Sequence, residues 1–265
     1  MKPLAGLGVL VTRPAAQAAP LCRMLEAEGA TVIAFPTIVI ESVPGLDELR
    51  ETLHALQPID LAIFISPNAV AHGAGLVLGL ASRPKVAAIG RSTAGALEAA
   101  GLPVDVRPAR GHTSEDLLGE PDLNQVAGLR IAIMRGGPGR ELLASELAAR
   151  GAEIHAFDVY ARRAPYVNEH DIATLTARWR RREIDVVVAT SVESLARLHE
   201  LLGDAATESI RRSTILTSSA RVNCAAQSLG HFAPSVIATG PDARSLVAAL
   251  VDWRGRKPEE THDRE

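Results

Sequence analysis

Short runs of apolar, mostly β-branched residues recur along this chain and alternate with longer stretches in which apolar side chains return every three or four positions. The short runs are hydrophobic on both faces, which suits strands of a sheet covered on both sides. The longer stretches suit amphipathic helices packed against such a sheet. On this basis strands are expected at Leu7–Thr12, Thr31–Phe35, Leu61–Ile65, Val86–Ile89, Leu129–Met134, Glu153–Phe157, Val186–Ala189 and Thr214–Leu216. Between the first two, Ala18, Leu21, Cys22 and Leu25 fall at helical spacing, and Gly29 stands where a left-handed helix cap is wanted. Steady alternation of strand and helix marks βαβ units around parallel sheets, hence an α/β fold.

The pattern also repeats. Val9 to Pro14 is echoed by Ile131 to Gly136, and Leu25, Gly29, Ala30 and Phe35 by Leu147, Gly151, Ala152 and Phe157, all at an offset of 122 residues. Asp60 to Val70 is echoed by Asp185 to Leu195 at an offset of 125. Recurrence of strand, helix and glycine is common in doubly wound folds, but an offset held across an arginine, a glycine and a phenylalanine favours duplication. So long a period means paired domains, since solenoid repeats are far shorter. Taken alone, the repeat puts the domain boundary near residue 120.

Composition narrows the picture. With 265 residues, 47% of them hydrophobic, the chain can fill two compact cores. A formal charge of −3 leaves no global basic field of the kind that nucleic-acid binding by counterion release requires. The basic stretch Arg178 to Arg182 reads as the solvated end of a helix, with arginines near its C-terminal dipole. Cys22 and Cys224 lie far apart in apolar helical patterns, which fits small core residues better than a disulfide or metal site. The histidines show no metal-ligand spacing, and Gly136-Gly137-Pro138-Gly139 misses both the P-loop and the dinucleotide spacings, so neither metal nor cofactor is expected. That glycine run supports an anion-friendly turn. Met1 to Thr12 reads as a strand with no signal-peptide pattern, and no window reaches the roughly 18 uncharged apolar residues of a membrane helix, so a cytoplasmic protein is expected. Residues 255–265 are almost all charged or polar and are expected to form a disordered tail.

Candidate chemistry gathers where strands end. The loops after the expected strands carry Ser66 and Asn68, Ser92 and Thr93, Thr190 and Ser191, Ser218 and Ser219. Such residues cap helix N-termini wherever a helix begins. They also line anion sites, because the N–H groups and dipole of the following helix point the same way. Arg13 and Arg135 occupy equivalent places in the two copies, where a guanidinium could clamp a carboxylate or serve a structural ion pair.

Several pieces together resemble a known family: Thr12-Arg13-Pro14; Gly29-Ala30 leading to Phe35-Pro36; Asp60 through Ser66, Asn68, Ala69 and Val70; Ile89-Gly90 with Thr93-Ala94; Met134-Arg135-Gly136 with Gly139, Arg140 and Glu141; Val159-Tyr160 with Arg162; and Thr190-Ser191. In this order and at these spacings, over about residues 7–250, the chain resembles the uroporphyrinogen-III synthase (HemD) family. It departs from the family at Ile65, where threonine is common, and at Leu216 to Ala220, which lacks the glycine present at Gly90.

The resemblance implies two related doubly wound, flavodoxin-like parallel-sheet domains joined by two extended crossover linkers. One domain would combine 1–37 with 166–254, the other would span 42–158, and the linkers would be 38–41 and 159–165. It implies an enzyme that cyclises hydroxymethylbilane, a linear tetrapyrrole, with inversion of ring D through a spiro intermediate. The substrate would lie in a cleft between the domains, its carboxylates and pyrroles held by Arg13, Ser66, Asn68, Ser92, Thr93, Arg135, Gly136, Thr190, Ser191, Ser218 and Ser219. Tyr160, on a crossover facing that cleft, would be the acid toward the leaving hydroxyl; packing between domains is its other reading. A monomer with hinge motion is expected, with room for transient contact with hydroxymethylbilane synthase and no nucleic-acid or membrane partner. The alternative function is a non-catalytic two-domain binder or sensor of an anionic small molecule.

Overall fold

A computed structural model describes residues 2–137 and 141–256, apart from the side chains of residues 204–206. The chain divides into two compact units, Met1–Val39 with Arg163–Glu265, and Ile40–Arg162. In chain order the elements are β1 (Gly8–Val11), α1 (Ala15–Ala27), β2 (Thr31–Ala34), β3 (Val39–Ser42), α2 (Leu46–Ala55), β4 (Leu61–Phe64), α3 (Pro67–Leu78), β5 (Lys85–Ala88), α4 (Arg91–Ala99) and α5 (Ser114–Leu118). After a 3-10 turn at Pro121–Leu123 come β6 (Arg130–Arg135), α6 (Leu142–Ala149), β7 (Glu153–Asp158), β8 (Tyr160–Arg163), α7 (Glu169–Arg180), β9 (Val186–Val188), α8 (Val192–Arg212), β10 (Thr214–Thr217), α9 (Ala220–Ser228), β11 (Val236–Ile237) and α10 (Ala243–Arg256).

The first unit holds a five-stranded parallel sheet in the order β2-β1-β9-β10-β11. Counted within the unit, that is the 2-1-3-4-5 order of flavodoxin-like folds. The second unit's parallel sheet, β5-β4-β6-β7, runs 2-1-3-4 by the same count. Side chains alternate across each sheet as the pleat requires. Val9, Val11, Val186 and Val188 pack with α1 and α10, whereas Leu10, Val187 and Ala189 pack with α7, α8 and α9. In the second unit Ala62, Phe64, Ala132 and Met134 face α2, α3 and α4, and Leu61, Ile63, Ile131 and Ile133 face α5 and α6. Both faces are covered at the central strands, so β1, β4 and β9 are apolar at every position, while the edge strands β2 and β7 keep exposed and polar positions.

The sequence repeat is matched in three dimensions at its own offsets. Val9 pairs with Val186 as Ile131 pairs with Leu61, and Gly8 pairs with Thr31 as Arg130 pairs with Glu153. Asp185 Oδ2 accepts the Gly8 N–H at 2.8 Å, and Asp60 Oδ2 accepts the Arg130 N–H at 2.7 Å. Helices α1 and α6 both end in a left-handed glycine, Gly29 and Gly151, after which Ala30 and Ala152 donate back to the carbonyls of Leu25 and Leu147. Such a reversal needs φ near +90° and so selects glycine.

Some expectations need correction. The segments expected as extended crossovers are extended and hold β3 and β8, but these pair with each other in a two-stranded sheet, a pairing the expectation did not include. The short strand β11 has only two residues, too few for the hydrophobic pattern to announce. Cys22 is partly buried against the first unit's core, but Cys224 is exposed on α9, because the polar face of that helix carries it. Within the basic stretch, Trp179 is buried and donates from Nε1 to Ser213 Oγ at 2.9 Å, while Arg178 and Arg181 pair with Glu183. Helix α10 continues to Arg256, so the expected tail starts no earlier than 257, and its remainder lies outside the described residues. Among the described residues no helix is long and apolar enough to cross a membrane.

A pair of histidines, His231 buried and His199 half-buried, gives the first unit a pH dependence. The Nε2 atoms of His199 and His231 lie 2.9 Å apart, so one must carry the hydrogen and the other the lone pair. Burial first, then the charges of His199 and Arg211, push His231 down to about 4, and burial with Arg211 lowers His199. Both values lie below that of an unfolded histidine, so the unfolded chain takes up protons first as pH falls. The stabilisation is complete above about pH 6.5 and is lost on descending toward 4, with His231 accounting for about 2 kcal/mol between pH 7 and 5. Urea unfolding at those two pH values should show the loss in the native chain and a clearly smaller one in His231→Gln. An equal loss in both would disprove the assignment.

Candidate active site

In open parallel sheets, ligands bind outside the carboxyl ends of the strands where the strand order reverses. That point lies between β1 and β9 in the first unit and between β4 and β6 in the second. The residues leaving these strands are Thr12-Arg13 and Ala189-Thr190-Ser191 in one, Ile65-Ser66 and Gly136-Gly137 in the other. Each unit thus gathers its own share of the sequence candidates at one sheet edge.

Ser66 and Ser191 occupy equivalent caps. Ser66 Oγ accepts from the Ala69 N–H at 3.0 Å, and Ser191 Oγ from the Ser194 N–H at 3.0 Å. Both serve as N-caps, and Asn68 follows on the first turn of α3. Ser219 sits at the N-cap position of α9 with no capping bond from its side chain, and Ser218 beside it is half-buried. Ser92 is exposed on the first turn of α4, next to Thr93, whose hydroxyl is fully buried and has no hydrogen-bond partner among the described residues. Gly90 precedes them because His112 lies so close that a Cβ at Gly90 would meet its Cβ at 2.8 Å.

The two equivalent arginines diverge. Arg13 donates from Nη1 to the Pro241 carbonyl at 2.9 Å and from Nη2 to Gln17 Oε1 at 3.1 Å. Burial pulls its pKa down, and the charge of Asp242 opposes the fall. Arg135 meets two carboxylates, Asp158 Oδ1 from Nε at 2.8 Å and Glu141 Oε1 from Nη1 at 3.1 Å. Burial alone would lower its pKa, but the bonds and charges of those carboxylates raise it. Arg135 is therefore largely committed within its unit, while among the described residues Arg13 has no such pair of carboxylates. Of the glycine-rich turn after β6, Pro138, Gly139 and Arg140 lie outside the described residues.

Tyr160 opens β8 and is 5% exposed, part of the second unit's core. Its hydroxyl lies 3.2 Å from Ser66 Oγ. The backbone of Gly136 runs flush against the ring, so that a Cβ there would fall 2.1 Å from Tyr160 Cζ. Arg162 Nη2 donates to the Gly136 carbonyl at 3.1 Å and holds the turn in place. The ring of His72 stacks on Tyr160 with centroids 5.8 Å apart, and His72 Nδ1 is 3.1 Å from Ser42 Oγ. The structure thus brings Ser66, Gly136 and Tyr160 together. His72 and Ser42 were missed by the sequence reading.

The comparisons with known proteins agree with this architecture. Residues 19–248 match the profile of the family described as uroporphyrinogen-III synthase HemD. The chain is 36% identical over 200 residues to the uroporphyrinogen-III synthase of Escherichia coli, covering 74% of this chain and 80% of that one. It is 35% identical over 251 residues to the synthase of Salmonella typhimurium, covering 92% of this chain and 100% of that one. Among solved structures, a mutant uroporphyrinogen III synthase from the extremely thermophilic bacterium Thermus thermophilus aligns with TM-score 0.65 at 24% identity, covering 95% of this chain and 100% of that chain, which supports the fold.

Proposed function

Because the chain belongs to the uroporphyrinogen-III synthase family, we propose that it cyclises hydroxymethylbilane to uroporphyrinogen III, as a lyase of tetrapyrrole biosynthesis that releases water and inverts ring D. The observation that carries the reading is the Tyr160 hydroxyl, held 3.2 Å from Ser66 at the carboxyl edge of a doubly wound sheet. Ser66 Oγ already accepts the Ala69 N–H. It can give its own hydrogen to Tyr160 Oη, and the phenolic hydrogen is then free for an oxygen leaving the substrate.

Tyr160 delivers a proton as the ring A hydroxyl departs as water, leaving an electrophilic azafulvene. Ring D attacks through its substituted carbon to give the spiro intermediate, which fragments and recombines with ring D inverted. Closure expels a proton as the pyrrole regains aromaticity, and this balances the proton that left with the hydroxyl. The flexible polyanion has to be held throughout, and Arg13, Ser66, Asn68, Ser92, Thr93, Arg135, Gly136, Thr190, Ser191, Ser218 and Ser219 supply hydroxyls, amides and cations at strand ends for its carboxylates and pyrroles. The capping bond at Ser191 leaves its hydroxyl one hydrogen to donate, whereas Ser66, whose hydrogen goes to Tyr160 Oη, keeps only acceptor capacity for a pyrrole N–H. On this reading the enzyme is a cytoplasmic monomer supplied by hydroxymethylbilane synthase.

The test is to feed porphobilinogen and hydroxymethylbilane synthase to the purified chain and separate the product isomers. Uroporphyrinogen III is expected; only the I isomer, which forms without help, would sink the proposal. Tyr160→Phe is expected to lower turnover about a hundredfold or more with little change in KM. Full turnover with the same isomer in that variant would remove Tyr160 from the acid role.

A further inference from the structure

We infer that His72 is a positioning residue for Tyr160: tethered by Ser42, it fixes the plane of the phenol so that its hydroxyl stays on Ser66 and points its hydrogen at the leaving group. This rests on the reading of Tyr160 as proton donor.

The geometry comes from one helix lying along the start of β8. Helix α3 places Ser66 at its N-cap and Gly73 seven residues on, positions that share a side of an α-helix, with His72 next to Gly73. Contact is close along that side. A Cβ at Gly73 would meet the methyl groups of Val159 at 3.2 Å, and Val159 immediately precedes Tyr160. The phenol is thereby enclosed by the Gly136 backbone, the imidazole with its plane 29° from that of the phenol, and Ser66 Oγ at the hydroxyl end. Removing the imidazole would take away the ring that stacks on the phenol and give Tyr160 room to tilt toward the space left.

The imidazole is itself held. Ser42, the last residue of β3, lies 3.1 Å from His72 Nδ1, and β3 pairs with the strand that Tyr160 opens. His72 therefore ties α3 to both strands of the two-stranded sheet, one by a hydrogen bond and the other by ring contact. A tilt of the phenol lengthens the 3.2 Å bond to Ser66 and swings the hydroxyl by a distance of the kind that costs catalysis far more than binding.

The experiment is a double-mutant cycle on the full chain, with kcat, KM, isomer ratio and thermal midpoint measured for His72→Ala, Tyr160→Phe and the pair. His72→Ala is expected to lower kcat about tenfold with KM within about twofold of the native value, to raise the share of the I isomer, and to cost nothing further in the Tyr160→Phe background. Wild-type kcat in His72→Ala would overturn the inference. The same fold-loss in both backgrounds would do so too, because His72 would then act independently of the phenol. A normal rate in Tyr160→Phe alone fails the reading of Tyr160 itself, a result separate from either. If His72→Ala does not fold, the cycle with Ser42→Ala, which leaves the imidazole in place but untethered, decides by the same criterion of coupling.

Discussion

Replacing Gly8 with alanine is expected to destabilise the first unit by roughly 3–5 kcal/mol, enough to leave most of it unfolded at moderate temperature. A Cβ at this position would fall 1.8 Å from the backbone carbonyl oxygen of Glu183. Neither partner can yield easily. Gly8 exchanges hydrogen bonds with Asp185, through its N–H to Oδ2 at 2.8 Å and through its carbonyl to the Asp185 N–H at 2.9 Å. Glu183 follows Arg182, which already adopts a left-handed φ of 55° to make the turn from α7 into β9. The matched control is Gly95→Ala, where open space surrounds the added methyl inside α4 and the substitution should be neutral or slightly stabilising. Thermal and urea unfolding of the two variants decide the matter. A midpoint for Gly8→Ala within a couple of degrees of the native chain would refute the close approach.

Gly136→Ala should act on chemistry more than on stability. Its backbone is not left-handed, so the whole effect comes from the added methyl meeting Tyr160. The ring cannot step aside cheaply, since it is buried, bonded at one end to Ser66 and stacked on His72. Overpacking of this kind costs about 1–3 kcal/mol of stability. Displacing the phenol from its bond should cost about a hundredfold in turnover, with a rise in the I isomer. Product analysis beside a melting curve separates the two effects. Native turnover in a folded Gly136→Ala variant would mean that the position of Tyr160 does not govern the reaction.

Both glycines show why part of this molecule is hidden from a reading of its residues. Gly8 and Arg130 are equivalent in the repeat, occupy the same register and bond to equivalent aspartates, yet one must be glycine and the other carries a long side chain. The difference lies in a loop far along the chain that crosses Gly8. Arg13 and Arg135 match in sequence in the same way. Their neighbours divide them: Asp158 and Glu141 hold Arg135, while the Pro241 carbonyl and Gln17 hold Arg13. Similar side chains at similar strand ends acquire different electrostatics from residues that no local pattern links to them.

His72 and Ser42 make the same point about the candidate site. Tyr160, Ser66 and Gly136 could be singled out from motifs, because tyrosine, strand-end serine and glycine carry recognisable chemical roles. A histidine in mid-helix and a serine closing a short strand carry none until the strand pairing and the seating of α3 bring them against the phenol.

By itself, the sequence determined the α/β class, eight of the eleven strands among the described residues, the duplication, and the glycine caps at Gly29 and Gly151. These are set by local periodicity and by backbone angles that one residue type satisfies. The tertiary structure alone decided that β3 and β8 pair, that Gly8 and Gly136 are pressed against a distant carbonyl and a phenol, that His199 meets His231, and that His72 stacks on Tyr160. All of these join residues from separate elements, and such contacts exist only once long-range packing has brought those elements together.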